Sequence, residues 1–435
     1  MATQLHVAVL PWSAFGHLIP FFQLTLGLAK AGIKVSFIST PRNIQRLPKV
    51  PSPLASLIHL VEFPLPNLDN DLLPEGAEAT VDVPFEKIQH LKVAYDLLRH
   101  PFKRFILEQL PDWILIDIIP YWAAESLPSI SPFIQVPLML SSDIHNRWSF
   151  EAIGVYEGIY GGNASGTKDA ERVFKILQSS QAVAIRSCLE HEGEYLNLFE
   201  KIINRPVIPT GLLLPEKPEG RTRYTAEKPW SEIFDWLDRQ KPKSVVFVGF
   251  GSECKLSKET VHEIAYGLEL SGLPFLWALR KPNWAVDDLD ALPFGFSDRS
   301  HGRGVVQIGW APQMEILSHP SIGGSLFHSG WGSVIETLQF GHCLVVLPLI
   351  IDQPLNARVL VEKGLAVEIE RSEDGSFTRE GIAKALKLAM VSEEGERLSI
   401  RTKEAAMVFG DQKLHDGYFD RFVEYLKKGA RDGGE

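Results

Sequence analysis

The sequence has little cysteine. Cys188, Cys254 and Cys343 are its three, and no two lie at short spacing. That argues against a disulfide framework or a zinc site, and a reducing, cytoplasmic setting is expected. An excess of cations is also missing. Lys and Arg number 44 against 54 Asp and Glu, a formal net charge of -10. Nucleic acid and anionic membranes both want basic surfaces, so neither is expected as a partner. No stretch approaches about 18 uninterrupted apolar residues, so no membrane span is expected. The opening MATQLHVAVLPWSAFGH has no basic region ahead of its short apolar run and does not read as a secretory leader. The first strand–helix turn, WSAFGHL, lacks G-x-G-x-x-G. That ranks a dinucleotide oxidoreductase far down. There is no clustered Asp motif for Mg²⁺, so no metal is expected.

What is present is a long α/β pattern. The 435 residues are too many for one core and imply two or three domains. Short apolar runs ending at turns read as buried strands: Leu5–Pro11, Lys34–Thr40, Trp113–Ile119, Pro137–Ser142 and Ala182–Ser187. Helically spaced stretches lie between them, the signature of βαβ units and a parallel sheet. Residues 213–232, rich in Pro, Gly and charge, read as a linker. A second series follows in SVVFVGFGS, PFLWALR, VVQIGWA, GGSLFHS and CLVVLPLI. The expected organisation is an N-terminal Rossmann-like domain over 1–212, the linker, and a C-terminal Rossmann-like domain over 233–410. An amphipathic helix over 411–435 is expected to pack back on the N-terminal domain. Such sheets bind ligands at the carboxyl ends of their strands.

One turn concentrates polar and small residues: FHSGWGSVIE, Phe327–Glu336. It reads as a strand end, a sharp turn and a helix start. A helix start offers unpaired N–H groups and a positive dipole end. Gly330 and Gly332 let a ligand approach the backbone. His328, Ser329 and Ser333 add side-chain donors, and together they suit a diphosphate. Glu336, one helical turn on, suits ribose hydroxyls. The competing reading is a capped helix after a tight turn, with Ser329 or Ser333 as the cap. Trp310, at a strand end, suits stacking on a nucleobase, or it is core. Asp352 and Gln353 precede Pro354 at another strand end. They suit sugar hydroxyls, or Asp352 is an ordinary helix cap.

Near the N-terminus, His17 opens the helix after the first strand. A helix N-terminus disfavours a further positive charge, which favours the neutral imidazole that a general base needs. Asp117 ends a later strand. If the sheet brings the two together, the carboxylate would orient the imidazole as in a His–Asp dyad. A structural histidine at a helix start is the alternative.

The uninterrupted run WAPQMEILSHPSIGGSLFHSGWGSVIETLQFGHCLVVLPLIIDQPLNAR, with PWSAFGHLIPF near the N-terminus, resembles the plant-type UDP-dependent glycosyltransferases of family 1. These are inverting enzymes of the GT-B fold, two Rossmann-like domains facing across a cleft. The resemblance implies that Trp310 stacks on uracil, with the Ala311 backbone reading its edge and Gln313 near the ribose. It implies phosphate contacts from Ser252, His328 and Ser333, ribose contacts from Glu336, and Trp331, Asp352 and Gln353 at the transferred sugar. His17 and Asp117 match the family's catalytic pair. Gly332 departs from the pattern, since most members carry Asn there. Losing that amide would remove one hydrogen bond, roughly 1 kcal/mol, and leave the backbone N–H.

Gln353 at its position is typical of members using UDP-glucose; rhamnose and xylose remain alternatives. Phrases such as VSFISTPRN and VFGDQKLH resemble the branch that extends a sugar already on a terpenoid, steroid or flavonoid. The implied acceptor is an apolar glycoside. Ser141, Trp148, Phe150 and Tyr156 are candidates to line its site, although they could equally be core. The region 144–170 is shorter than is usual for that branch. The implied enzyme uses UDP-glucose as co-substrate without a further cofactor, and a monomer is expected. Transfer to an aglycone hydroxyl is a second reading, and a non-catalytic nucleotide-sugar binding protein a third.

Overall fold

The computed structural model describes residues 4–432 apart from 69–71, 126–148, 216, 219–226, 289 and 351. Two compact units emerge. Among the described residues, the first holds a four-stranded parallel sheet built from β1 (His6–Leu10), β2 (Lys34–Ser39), β3 (Ile58–Glu62) and β4 (Trp113–Ile116), in the order β3-β2-β1-β4. A parallel pair, β5 (Val183–Ile185) and β6 (Val207–Pro209), belongs to the same unit. The second unit holds β7 (Val245–Gly249), β8 (Phe275–Leu279), β9 (Gly304–Ile308), β10 (Ile322–Phe327), β11 (Cys343–Val346) and β12 (Ala366–Glu368). Their order is β12-β11-β10-β7-β8-β9, all parallel. The strand order of each main sheet reverses beside its first strand, between β1 and β4 and between β7 and β10. That point is where open α/β sheets bind ligands.

Side-chain alternation explains why both sheets are covered on two faces. In β1, Val7 and Val9 face one core cluster while Ala8 and Leu10 face another. In β7, Val246 and Val248 face one cluster while Val245 and Phe247 face the other. A parallel strand buried on both sides reads as a continuous apolar run, as these do. Each fully buried Val or Leu contributes about 1.5–3 kcal/mol. Helix α1 (Phe15–Lys30) buries Leu18, Phe21, Phe22, Thr25 and Leu28 on one stripe.

The Trp230–Asp238 helix starts inside the stretch read as linker, because Trp230, Ile233, Phe234 and Leu237 fall at helical spacing and are buried. The Gln412–Asp432 helix belongs to the first unit. Its Phe422, Val423 and Leu426 join the cluster around Val7 and Val9, and the Trp113 indole N–H donates to the Leu426 carbonyl at 2.8 Å. The strand read at Pro137–Ser142 lies outside the described residues. Among the described residues no helix is long and apolar enough to cross a membrane. All three cysteines are free and buried. Burial pushes the Cys188 and Cys254 thiols up to about 12, so they stay protonated at neutral pH.

Candidate active site

In the first unit, His17 and Asp117 follow the two strands that flank the switch point, β1 and β4. The sheet register sets Leu10 beside Ile116, so both chain segments leave the same end of adjacent strands. His17 Nδ1 lies 2.8 Å from Asp117 Oδ2. Asp117 is fully buried, whereas the His17 side chain is 26% exposed, so solvent-side reagents meet the imidazole first. The carboxylate is held by backbone donors as well. The Trp12 amide donates to Oδ2 at 2.9 Å and the Ile118 amide to Oδ1 at 2.7 Å. An acceptor-only carboxylate with these neighbours fixes the tautomer: Nδ1 carries the proton and Nε2 keeps the basic lone pair. The Tyr95 hydroxyl donates to the Pro11 carbonyl at 2.5 Å, which pins the turn at its start.

In the second unit, the turn after β10 is built around His328. The ring is buried, and burial lowers its pKa to about 4, opposed by a bond to the Gly249 backbone. The imidazole is therefore neutral at pH 7 and offers a hydrogen bond rather than a full charge. Two glycines make room for it. A Cβ on Gly330 would lie 2.6 Å from His328 Nε2, and one on Gly251 would lie 2.8 Å from Cε1.

The helix Trp331–Leu338 has Gly330 at its N-cap and no side-chain cap. Neither Ser329 nor Ser333 plays that part. Ser329 is buried with φ +59°, and its hydroxyl donates to the Gln353 carbonyl at 2.8 Å. It braces the turn and is not a donor toward a ligand. Gly332 and Ser333 are half-buried on the first helical turn. Trp331 is half-buried there too, with its ring edge-on to Phe409.

The surrounding residues are equally specific. Trp310 is 63% exposed, so it is not core. Ala311 and Gln313 follow it, and the Gln313 amide donates to Glu336 Oε2 at 2.5 Å. Ser252 follows β7, the other strand at the switch point, and its carbonyl accepts from Arg280. Asp352 does not cap the next helix through its side chain; its Oδ2 accepts from the Asn356 amide at 2.9 Å. Asn356 also donates to the Ser329 carbonyl at 3.0 Å, which ties the β10 turn to the β11 turn. Asn356 lies in the long run quoted above, but periodicity assigns it no role. Gln353 is buried, and its Oε1 accepts from the Leu349 and Ile350 amides at 2.9 and 3.0 Å. Its Nε2 sits 3.6 Å from Cys254 Sγ. Gln353 thus shapes its own turn, its oxygen accepting from backbone amides and its Nε2 donating to the Cys254 sulfur.

Of the acceptor candidates, Ser141, Trp148 and the Phe150 side chain lie outside the described residues. Tyr156 is exposed and stacks on Tyr160 with ring centroids 5.2 Å apart.

A family model described as UDP-glucoronosyl and UDP-glucosyl transferase matches residues 208–401. UDP-glycosyltransferase 91A1 of Arabidopsis thaliana is 40% identical over 98% of this chain and 97% of its own length. The chain belongs to the family 1 plant UDP-glycosyltransferases. Soyasaponin III rhamnosyltransferase of Glycine max is 41% identical to this glycosyltransferase, over 98% of this chain and 96% of its own. Among solved structures, Arabidopsis thaliana UGT89C1 complexed with UDP-L-rhamnose superimposes with a TM-score of 0.78 at 25% identity, covering 98% of this chain and 100% of that one. The fold is GT-B, the enzyme a UDP-dependent glycosyltransferase, and its substrates a UDP-sugar and a small-molecule acceptor.

Proposed function

We propose that this enzyme transfers glucose from UDP-glucose to a hydroxyl of a small-molecule glycoside, forming a sugar–sugar bond with inversion. The observation that carries the mechanism is the 2.8 Å contact between His17 Nδ1 and buried Asp117. With Nδ1–H held by the carboxylate, Nε2 takes the proton from the acceptor hydroxyl. The freed oxygen attacks the anomeric carbon as the bond to UDP breaks, and Asp117 stabilises the imidazolium that forms. In the second unit, the uncapped start of the Trp331–Leu338 helix and the neutral His328 supply hydrogen bonds to the departing diphosphate. Exposed Trp310 gives uracil a stacking face, and the joined Gln313 and Glu336 suit the ribose. Asp352, Gln353 and Trp331 are assigned to the transferred sugar.

A dyad of this geometry favours catalysis over nucleotide-sugar storage, since a storage protein has no use for an oriented base. The donor has a second reading, UDP-rhamnose, favoured by the rhamnosyltransferase among the relatives. The test is mass spectrometry after incubation with UDP-glucose and UDP-rhamnose in competition. A terpenoid aglycone and its monoglucoside serve as acceptors. The proposal expects a hexose gain on the monoglucoside. A deoxyhexose gain would establish the second donor, and faster turnover of the aglycone would overturn the glycoside acceptor. UDP-sugar binding with no product on a broad panel would leave a binding protein.

A further inference from the structure

We propose that Asp82 and Arg46 form a positioning pair for the turn that carries His17, a role that rests on His17 being the general base. The chain from Gly76 to Val83 holds only one turn of 3-10 helix, Thr80–Asp82, so side-chain bonds fix its shape. Asp82 gathers them. Its Oδ2 accepts from the amides of Glu78 and Ala79 at 3.1 and 3.0 Å. Arg46, at the end of helix α2 (Pro41–Arg46), meets the same carboxylate with both Nη atoms, at 2.9 and 2.6 Å. A bidentate fork of this kind fixes orientation as well as distance. Helix α2 holds the segment at three further points. The Arg42 amide donates to Glu78 Oε2 at 2.7 Å, Arg42 Nη1 donates to the Gly76 carbonyl at 2.5 Å, and the Asn43 amide group donates to the Glu78 carbonyl at 3.0 Å.

The segment so held reaches the catalytic turn directly. The Thr80 amide donates to the Ser13 carbonyl at 2.9 Å. Arg46 also lies over the Phe15 ring, 5.9 Å from its centroid. Ser13 and Phe15 precede His17 by four and two residues. The turn is therefore gripped at successive residues, Pro11 by Tyr95, Trp12 by Asp117 and Ser13 by Thr80. The third grip depends on the Asp82–Arg46 fork. Asp82 and Arg46 are mostly buried, with 11% and 24% side-chain exposure, so water does not readily replace the pair. Burial would raise the Asp82 carboxyl, yet the Arg46 bond and the two amides outweigh it and hold the group below its ordinary value.

The test is Asp82→Asn and Arg46→Lys, with His17→Ala measured alongside, at temperatures well below each variant's melting point. Asp82→Asn is expected to lower kcat roughly tenfold to a hundredfold, the scale on which small misplacements of a reacting group act. UDP affinity should stay within about twofold, because the altered contacts touch only the turn before His17. The acid limb of the kcat/KM profile should move to lower pH, because His17 loses its close carboxylate. Arg46→Lys keeps the charge without the fork and should fall between. A variant with a lower melting temperature but unchanged kcat and pH profile would overturn the pair's role and leave the base standing. If Asp82→Asn does not fold, Arg46→Lys decides on the same readouts. Full activity in His17→Ala would instead remove the base assignment, and the positioning role with it.

Discussion

Replacing Asp117 with Asn tests the dyad with almost no change in volume. The wild-type carboxylate accepts from His17 Nδ1, the Trp12 amide and the Ile118 amide. Asparagine offers one oxygen and one NH₂, so it cannot satisfy all three donors. If its oxygen faces Trp12 and His17, the NH₂ opposes the Ile118 N–H. The imidazolium then loses its counter-charge, a charge-assisted bond of about 1.5–3 kcal/mol. At about 1.4 kcal/mol per decade, that is roughly tenfold to a hundredfold in kcat. If the NH₂ faces His17, Nδ1 must accept, the proton moves to Nε2, and the base is lost. A wrong tautomer of that kind costs about 10⁴-fold in a serine protease triad, where an aspartate orients its histidine in the same way. The expected loss therefore lies between roughly 10- and 10⁴-fold, with UDP affinity unchanged. Steady-state rates at saturating donor and acceptor measure the first, and titration calorimetry with UDP the second. A buried unpaired N–H should also lower the melting temperature, costing about 1–3 kcal/mol. Activity within threefold of wild type would show that the Asp117 carboxylate does not orient the His17 base.

Two further outcomes are expected. Gly330→Ala puts a Cβ 2.6 Å from His328 Nε2, in a buried place where the ring has little room to retreat; calorimetry should show UDP affinity falling by about tenfold or more, and unchanged affinity would show that the turn yields. His342 is fully buried beside Ser325, and burial, with Lys243 next, lowers its pKa to about 3. The unfolded state therefore takes up a proton near pH 6.5 that the folded state refuses, so the His342 contribution to stability is full above that pH. That contribution falls by up to about 1.4 kcal/mol per unit as pH drops toward 3, beside a similar one from His328. His342→Gln should flatten that acid limb in thermal melts, and an unchanged slope would count against it.

Much of the fold was legible because parallel strands buried on both faces are continuous apolar runs, as in HVAVL and VVFVG. The strands that escaped are β3, β6 and β12. Two are only three residues long, and β3 and β12 are edge strands whose half-covered, charged sequences blur the pattern. For the site, residue types and spacing could not separate a capped helix from an open one. The backbone decides it, because Ser329 adopts a left-handed conformation and turns its hydroxyl onto Gln353. The inward oxygen of Gln353 was likewise invisible, since its partners are backbone amides that any residues could supply. The Asp82–Arg46 fork joins residues 36 apart in sequence with no periodic signal between them.

The most direct measurement is the transfer rate of His17→Ala at saturating UDP-glucose, paired with its affinity for UDP. Transfer should be lost while UDP binds as it does to wild type, because the proposed base, His17, and the proposed diphosphate contacts around His328 belong to different units. Transfer at the wild-type rate, or an equal loss of UDP binding, would contradict it.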